Sequence, residues 1–145
     1  MSKVEDFLTA DEEQEIVDAI LESEKNTSGE IRVHFEAKCK EDILDHAAFI
    51  FEKLGMYKTE QRNGILFYIA LSDHKFAVIG DAGINAKVAD DFWEKVKNEM
   101  IPFFKEGRIA DGLIDGIAKA GHELKEYFPY QTNDKNELDN EISFS

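Results

Sequence analysis

Residues 63–71 read Asn-Gly-Ile-Leu-Phe-Tyr-Ile-Ala-Leu, and this apolar run decides the class of fold. A strand that is apolar on both faces needs cover on both sides, so it belongs inside a sheet with helices above and below. Residues 72–75, Ser-Asp-His-Lys, are typical of a tight turn, and the apolar residues 76–80 follow directly. The stretch therefore predicts a buried strand followed by an antiparallel hairpin partner.

The strand before this run alternates strictly over residues 30–37, Glu-Ile-Arg-Val-His-Phe-Glu-Ala. Its apolar side chains point to one face and its polar side chains to the other, which is typical of a strand with one face on a core. An edge position in the sheet explains this pattern most simply.

Helical spacing of apolar residues predicts four helices, over residues 10–24, 41–54, 88–100 and 109–124. The first opens with a capping box, in which the Thr9 side chain accepts from the backbone of Glu12 and the Glu12 side chain reaches back. Pro102 ends or kinks the third helix, because proline lacks the backbone donor that a helix interior needs.

The order of these elements favours an α/β fold. A helix between the first two strands makes them parallel, and the hairpin adds an antiparallel strand, so we expect a three-layer α/β/α sandwich around a central mixed sheet. Glu30, Asn63 and Asp81 then lie at the same end of that sheet. Residues 1–128 form a single domain in this interpretation, and the polar, acidic residues 129–145 form a flexible tail.

The composition excludes several classes of protein. Acidic residues number 31 against 17 basic ones, and the net charge of −14 disfavours binding to nucleic acid or to a membrane surface. It favours cationic partners instead, divalent cations among them. The single cysteine, Cys39, excludes an internal disulfide and a thiolate metal site. The sequence shows neither a secretory signal nor a run of about 18–20 apolar residues, which predicts a cytoplasmic protein.

Residues 80–85, Gly-Asp-Ala-Gly-Ile-Asn, are the best candidate for a functional loop. Its glycines allow a tight fold, and Asp81 follows a buried strand directly. Asp90 and Asp91 come at the start of the next helix. Converging carboxylates repel one another unless a cation joins them, and oxygen ligands select Ca²⁺, Mg²⁺ or Mn²⁺. Favourable charge at a helix start is the alternative explanation for these acids.

Four short motifs resemble the TPM domain family, which is named after a thylakoid-lumen protein, a photosystem II repair protein and a nematode receptor modulator. They are Thr27–Val33, Arg62–Leu66, Gly80–Ile84 and Val88–Asp90. The resemblance covers roughly residues 9–128 and implies a sheet of about four strands, so we expect three to four. It also implies a divalent-metal site, with one or two ions, at Glu30, Asp81, Asp90 and Asp91.

Three functions are compatible with these observations. In the first, the domain is a regulatory or partner-binding module with a loop that a metal ion orders, and the net negative charge favours this function. In the second, it is a metal-assisted acid phosphatase, as the resemblance implies, since some family members are reported to have this activity. In the third interpretation it binds an unidentified protein partner, and its acids only keep it soluble. The sequence offers no convincing nucleophile or general acid for phosphatase activity, and Arg62 is the basic residue expected near the site. Many relatives carry a signal peptide, a membrane anchor or a long tail, whereas this chain reads as the domain standing alone.

Overall fold

The computed structural model describes residues 8–25, 27–129 and 142–145. Within these residues the fold has five α-helices and four β-strands. In chain order they are α1 (Ala10–Glu24), β1 (Glu30–Glu36), α2 (Ile43–Lys53), β2 (Gly64–Ala70), β3 (Lys75–Gly80), α3 (Ala82–Asn85), α4 (Phe92–Lys105), α5 (Ile109–Tyr127) and β4 (Ser143–Phe144). A short 3₁₀ turn over Met56–Lys58 separates α2 from β2.

The four strands form one mixed sheet in the order β3-β2-β1-β4. β1 is parallel to β2 and to β4, and β2 is antiparallel to β3. This confirms the predicted parallel pair with its hairpin. All seven residues of β2 are buried, as the unbroken apolar run requires.

Helices cover both faces of the sheet, which confirms the three-layer arrangement. On one face α2 packs Ala47, Ile50 and Phe51 against Leu66 and Tyr68 of β2. On the other face α1, α4 and α5 enclose the larger core, which includes Ile31, Val33, Phe35, Ile65, Phe67 and Ile69 of β1 and β2. The small residues of α5 permit close packing there, because a methyl group at Gly116 would lie 2.7 Å from the Met100 sulfur atom.

The edge position expected for β1 is wrong. β4 pairs with β1 at His34 and Phe35, and the His34 ring contacts the Ser143 hydroxyl at 2.7 Å. The polar face of β1 is also covered rather than wet. Glu36 accepts a hydrogen bond from the Tyr68 hydroxyl at 2.7 Å and contacts His46 of α2 at 2.6 Å. A polar network under α2, not solvent, produces the alternating pattern.

The bounds of α1, α2 and α5 lie within three residues of the predicted ones, whereas α4 begins four residues later and ends five residues later than predicted. The predicted loop 80–85 contains the short helix α3. The capping box of Thr9 and Glu12 is present, with both hydrogen bonds at 3.0 Å. Gly55 follows α2 at φ 71°, the left-handed conformation that ends many helices. Pro102 lies inside α4, which continues to Lys105, so this proline does not end the helix.

The structure describes only part of the predicted C-terminal tail, residues 129–145. Residues 130–141 of the predicted tail lie outside the described residues, whereas residues 143–144 form β4. Within the described ranges, no helix is long and apolar enough to cross a membrane.

Candidate functional site

Glu30 and Asp81 lie on one row across three strands at the same end of the sheet. Glu30 is paired with Gly64, and the backbone N–H of Asp81 donates to the Gly64 carbonyl oxygen at 2.9 Å. Neighbouring strands are about 4.8 Å apart, so about 10 Å separates the Cα atoms of the two acids. The residue between them has no side chain. Both acids are buried, at 2% and 7% exposure, so the sheet holds their carboxylates in place.

Two further oxygen atoms lie at this end of the sheet. The Met56 carbonyl oxygen lies over Gly64, since a methyl group on that glycine would come within 3.2 Å of it. Asn63 is buried, and its side-chain Oδ1 has no hydrogen-bond partner among the described residues. Carboxylate, carbonyl and amide oxygens are the donors that hard divalent cations prefer.

Arg62 neutralises Asp81. Its Nε and Nη2 atoms donate to the two carboxylate oxygens at 2.7 and 2.8 Å, which is the bidentate geometry that guanidinium favours. The pairing with Asp81 raises the pKa of Arg62. Arg62 is half-exposed, at 52% of its side chain, whereas the Asp81 carboxylate is buried. The basic residue expected near the site is therefore the direct partner of its central acid.

The backbone at Arg62 is fixed by α3. Arg62 has φ 53°, an uncommon conformation for a side chain with a Cβ atom. Its carbonyl oxygen accepts from the Gly83 N–H at 2.7 Å and the Ile84 N–H at 3.3 Å. Asp81 caps the same short helix through Ala82 N at 2.7 Å. The two charged residues thus belong to one hydrogen-bonded unit, which joins the loop before β2 to the loop after β3.

Glu24, at the end of α1, adds a further acid. One of its carboxylate oxygens accepts from the Ile31 N–H at 2.8 Å, and the carboxyl also forms a hydrogen bond with Glu30. Burial raises the pKa of Glu24 to about 8, and the neighbouring negative charge of Glu30 adds to the effect. A proton shared between these two carboxyls, or a cation beside them, relieves their repulsion.

Asp90 and Asp91, the other predicted ligands, are both exposed. Asp91 flanks the start of α4 and lies 3.4 Å from Lys95, one helical turn later. Within the described part of the chain, no three or more His, Cys, Asp or Glu residues are arranged to hold a metal ion. The four-carboxylate set of Glu30, Asp81, Asp90 and Asp91 therefore stays a prediction.

Glu24 and the Met56 carbonyl were not predicted from the sequence. The turn at residues 27–29 brings Glu24 back against the start of β1, and the six-residue spacing from Glu24 to Glu30 was the available signal. A backbone carbonyl carries no signal in the sequence, so Met56 was not predictable.

The solved structures include a near-complete counterpart of this chain. It is the BA42 protein of the psychrophilic bacterium Bizionia argentinensis, solved by NMR, with a TM-score of 0.90, 50% sequence identity and 100% coverage of both chains. Two bacterial N-terminal domains are similar in fold alone. The domain of cg2496 from Corynebacterium glutamicum has a TM-score of 0.65 at 13% identity, over 81% of this chain and 74% of that one. The domain from P. gingivalis has a TM-score of 0.69 at 18% identity, over 86% and 83%.

Among curated proteins, none matches the chain. The family model of the TPM domain does match, over residues 1–123 of the 145. Together with the fold and the ordered motifs, this match establishes that the chain belongs to the TPM domain family.

Proposed function

We propose that this domain binds a divalent cation, Ca²⁺ or Mg²⁺, at the row formed by Glu30, Gly64 and Asp81. The observation that carries the proposal is the row itself. It places two buried carboxylates on either side of a residue without a side chain, beneath the Met56 carbonyl oxygen. The donor set fits a hard cation: two carboxylates and a carbonyl, with Asn63 Oδ1 at the same end of the sheet and water for the remaining positions.

In this proposal the cation takes the place of the Arg62 guanidinium. Asp81 is a buried carboxylate and needs a positive partner, which Arg62 supplies in the structure. Because the Arg62 side chain is half-exposed, it can turn into solvent at a modest cost in free energy. The cation then binds the carboxylate oxygen atoms that Arg62 has released. Asp90 and Asp91 are close enough in sequence to join when the 82–91 segment rearranges, and they are the predicted additional ligands.

This exchange gives the domain a regulatory character. A ligand shifts a conformational equilibrium only by its difference in affinity for the two states. Release of Arg62 from Asp81 changes the loop before β2, the capping of α3 and the charge that this end of the domain presents to a protein partner. We therefore favour a metal-dependent binding module over an enzyme.

A metal-assisted phosphatase is the second candidate, and the exposed part of Arg62 favours it. A guanidinium freed from Asp81 has the fork geometry that binds phosphoryl oxygens. A cation held beside it would polarise the same group. The net charge of −14 opposes a dianionic substrate, so the binding module remains the preferred function.

Calorimetric titration of chelator-treated protein with Ca²⁺ and Mg²⁺ tests the proposal. We expect saturable binding in the wild type and at least about tenfold weaker binding for Asp81→Asn, which removes one ligand charge. Asp45→Asn is the matched control, because Asp45 is an exposed acid on α2. Absence of saturable heat, or equal weakening by both variants, would contradict a site at Asp81. Metal-dependent hydrolysis of p-nitrophenyl phosphate by the same sample would instead support the phosphatase.

A further inference from the structure

A cleft of about 460 Å³ lies at the end of the sheet opposite Asp81. The turn between β2 and β3 forms one side, and α4 with the start of α5 forms the other. Its walls are apolar and include Leu71, Phe76, Ile101 and Phe104. Ile101 and Phe104 are only partly buried, so the protein's own described side chains leave this wall open. The volume lies within the range of about 300–1,000 Å³ that is typical of small-ligand sites.

The charged side chains around this cleft are positive, whereas the protein as a whole has a net negative charge. Lys75, Lys97 and Lys105 line it together with His74. Although 31 of the 145 residues are acidic, no Asp or Glu is among the described residues of the lining. The cleft is therefore an apolar surface with a cationic rim on a strongly anionic molecule.

In the part of the chain that the structure describes, no carboxylate pairs with any of these three lysines. Among the described residues, none of them lies within ion-pair distance of an acid, whereas Lys95 of α4 and Lys119 of α5 are each paired. Lys97 instead lies over the Phe76 ring, with Nζ 5.3 Å from the ring centroid. This contact holds the ammonium group at the boundary between the apolar wall and solvent.

We infer that this cleft binds a small amphiphilic anion, with one carboxylate, phosphate or sulfate head and an unbranched apolar chain. The chain removes the apolar walls from water, and the head meets the unpaired ammonium groups. Charge complementarity selects this ligand class over neutral or cationic amphiphiles, and the cleft volume fits a single short chain. β2 separates the cleft from Asp81 by about 20 Å, so the inference is independent of the cation site.

An NMR titration of the full chain with decanoate tests the inference, read from backbone amide shifts. We expect saturable shifts at Leu71, Phe76 and Ile101. Decyl phosphate should act like decanoate, since the shared chemistry is an anionic head on a chain. Decanol and decyltrimethylammonium, which carry the same chain without the negative charge, should bind at least about tenfold more weakly. Acetate, which has the head without the chain, should produce no saturable shift.

Two variants with the same net charge distinguish binding in the cleft from a general effect of net charge on affinity. Simultaneous replacement of Lys75, Lys97 and Lys105 by Gln should weaken decanoate binding at least about tenfold and make it less sensitive to salt.

The control replaces Lys53, Lys58 and Lys125 by Gln, and it changes the net charge equally while leaving the cleft intact. We expect less than about a twofold effect. Equal weakening by the two triple variants, decanol binding as tightly as decanoate, or shifts that map outside the cleft would each overturn the inference. Absence of saturable shifts with decanoate and decyl phosphate in the wild type would overturn it as well.

Discussion

The guanidinium of Arg62 donates two hydrogen bonds to the buried carboxylate of Asp81, at 2.7 and 2.8 Å. Arg62 is therefore the internal counter-ion of the acid that we propose as a cation ligand. Arg62→Gln removes the competing positive charge but keeps a side chain of similar length. We expect this variant to bind Ca²⁺ at least about threefold more tightly than the wild type, because the cation no longer displaces a bound guanidinium.

Calorimetry at one ionic strength measures this effect. Arg108→Gln is the matched control, since Arg108 is an equally exposed arginine paired with Asp111 elsewhere on the protein. Should Arg62→Gln abolish Ca²⁺ binding, Arg62 would help to form the site rather than compete for it.

Glu24 predicts a specific dependence of stability on pH. Its pKa is about 8 in the folded protein against an ordinary value of 4.5, so the folded state favours the protonated carboxyl. This stabilisation is complete below about pH 4.5 and is lost as the pH rises to about 8, so the free energy of unfolding falls across this window. Glu24→Gln should remove this decline, which is at most about 5 kcal/mol for a shift from 4.5 to about 8, as measured by urea denaturation at several pH values.

Glu22→Gln is the control for this experiment, because Glu22 is an exposed acid on the same helix and pairs with Lys25. We expect Glu22→Gln to leave the pH dependence of the free energy of unfolding unchanged between pH 4.5 and 8. These limits are the ordinary and the shifted pKa values of Glu24. If the free energy of unfolding depended on pH equally in the wild type and in Glu24→Gln, Glu24 would not be protonated beside Glu30 in the folded protein.

The contact between α3 and the loop before β2 depends on Gly83. A methyl group there would lie 2.0 Å from the Gln61 carbonyl oxygen and 2.6 Å from that of Arg62, so the backbone must move. We expect Gly83→Ala to destabilise the protein by about 1–3 kcal/mol and to weaken cation binding, because Asp81 caps this helix. Ala82→Ser, at the exposed neighbouring position, should change stability by less than about 0.5 kcal/mol. If the Gly83→Ala protein were as stable as the wild type and bound the cation with the same affinity, cation binding would not depend on this contact.

Cation binding should also stabilise and order the loops at this end. An ion that binds only the folded state adds about 2.7 kcal/mol at a hundredfold excess over its Kd. Hydrogen exchange should slow in the loops 27–29 and 59–63 and in the segment 82–88, which contains α3, when Ca²⁺ is added. The exchange of the β2 amides should remain unchanged. Equal melting temperatures with chelator and with millimolar Ca²⁺, or loop protection that ignores the ion, would count against a regulatory site.

Much of the fold was predictable because local patterns agreed with the tertiary structure. The apolar run of β2 fixed the middle of the sheet, and the helix between β1 and β2 fixed their parallel order. β4 was not predictable, because a two-residue strand has no period and lies far along the chain from its partner. The edge expected for β1 was wrong because β4 pairs with it, and its polar residues Glu36 and His34 contact Tyr68 and Ser143 instead of solvent.

The site was predictable only in outline. The position of Asp81 directly after a strand was evident from the sequence, and the topology placed Glu30 at the same end. The role of both acids as metal ligands stays a prediction. The bidentate pairing of Arg62 depends on a positive φ angle that no residue type at this position signals. The contact between Glu24 and Glu30 depends on how α1 packs on the sheet, which periodicity does not specify.

We propose that a divalent cation replaces Arg62 on the carboxylate of Asp81. An NMR titration with Ca²⁺ that follows the Arg62 Nε–H resonance tests this exchange, since the group is hydrogen-bonded to Asp81 in the structure. We predict a saturable shift or loss of this resonance, together with amide shifts at Glu30 and Gly64, and no such change in Asp81→Asn. A resonance that stays unchanged at millimolar Ca²⁺, or changes equally in Asp81→Asn, would show that Ca²⁺ does not replace Arg62 on Asp81.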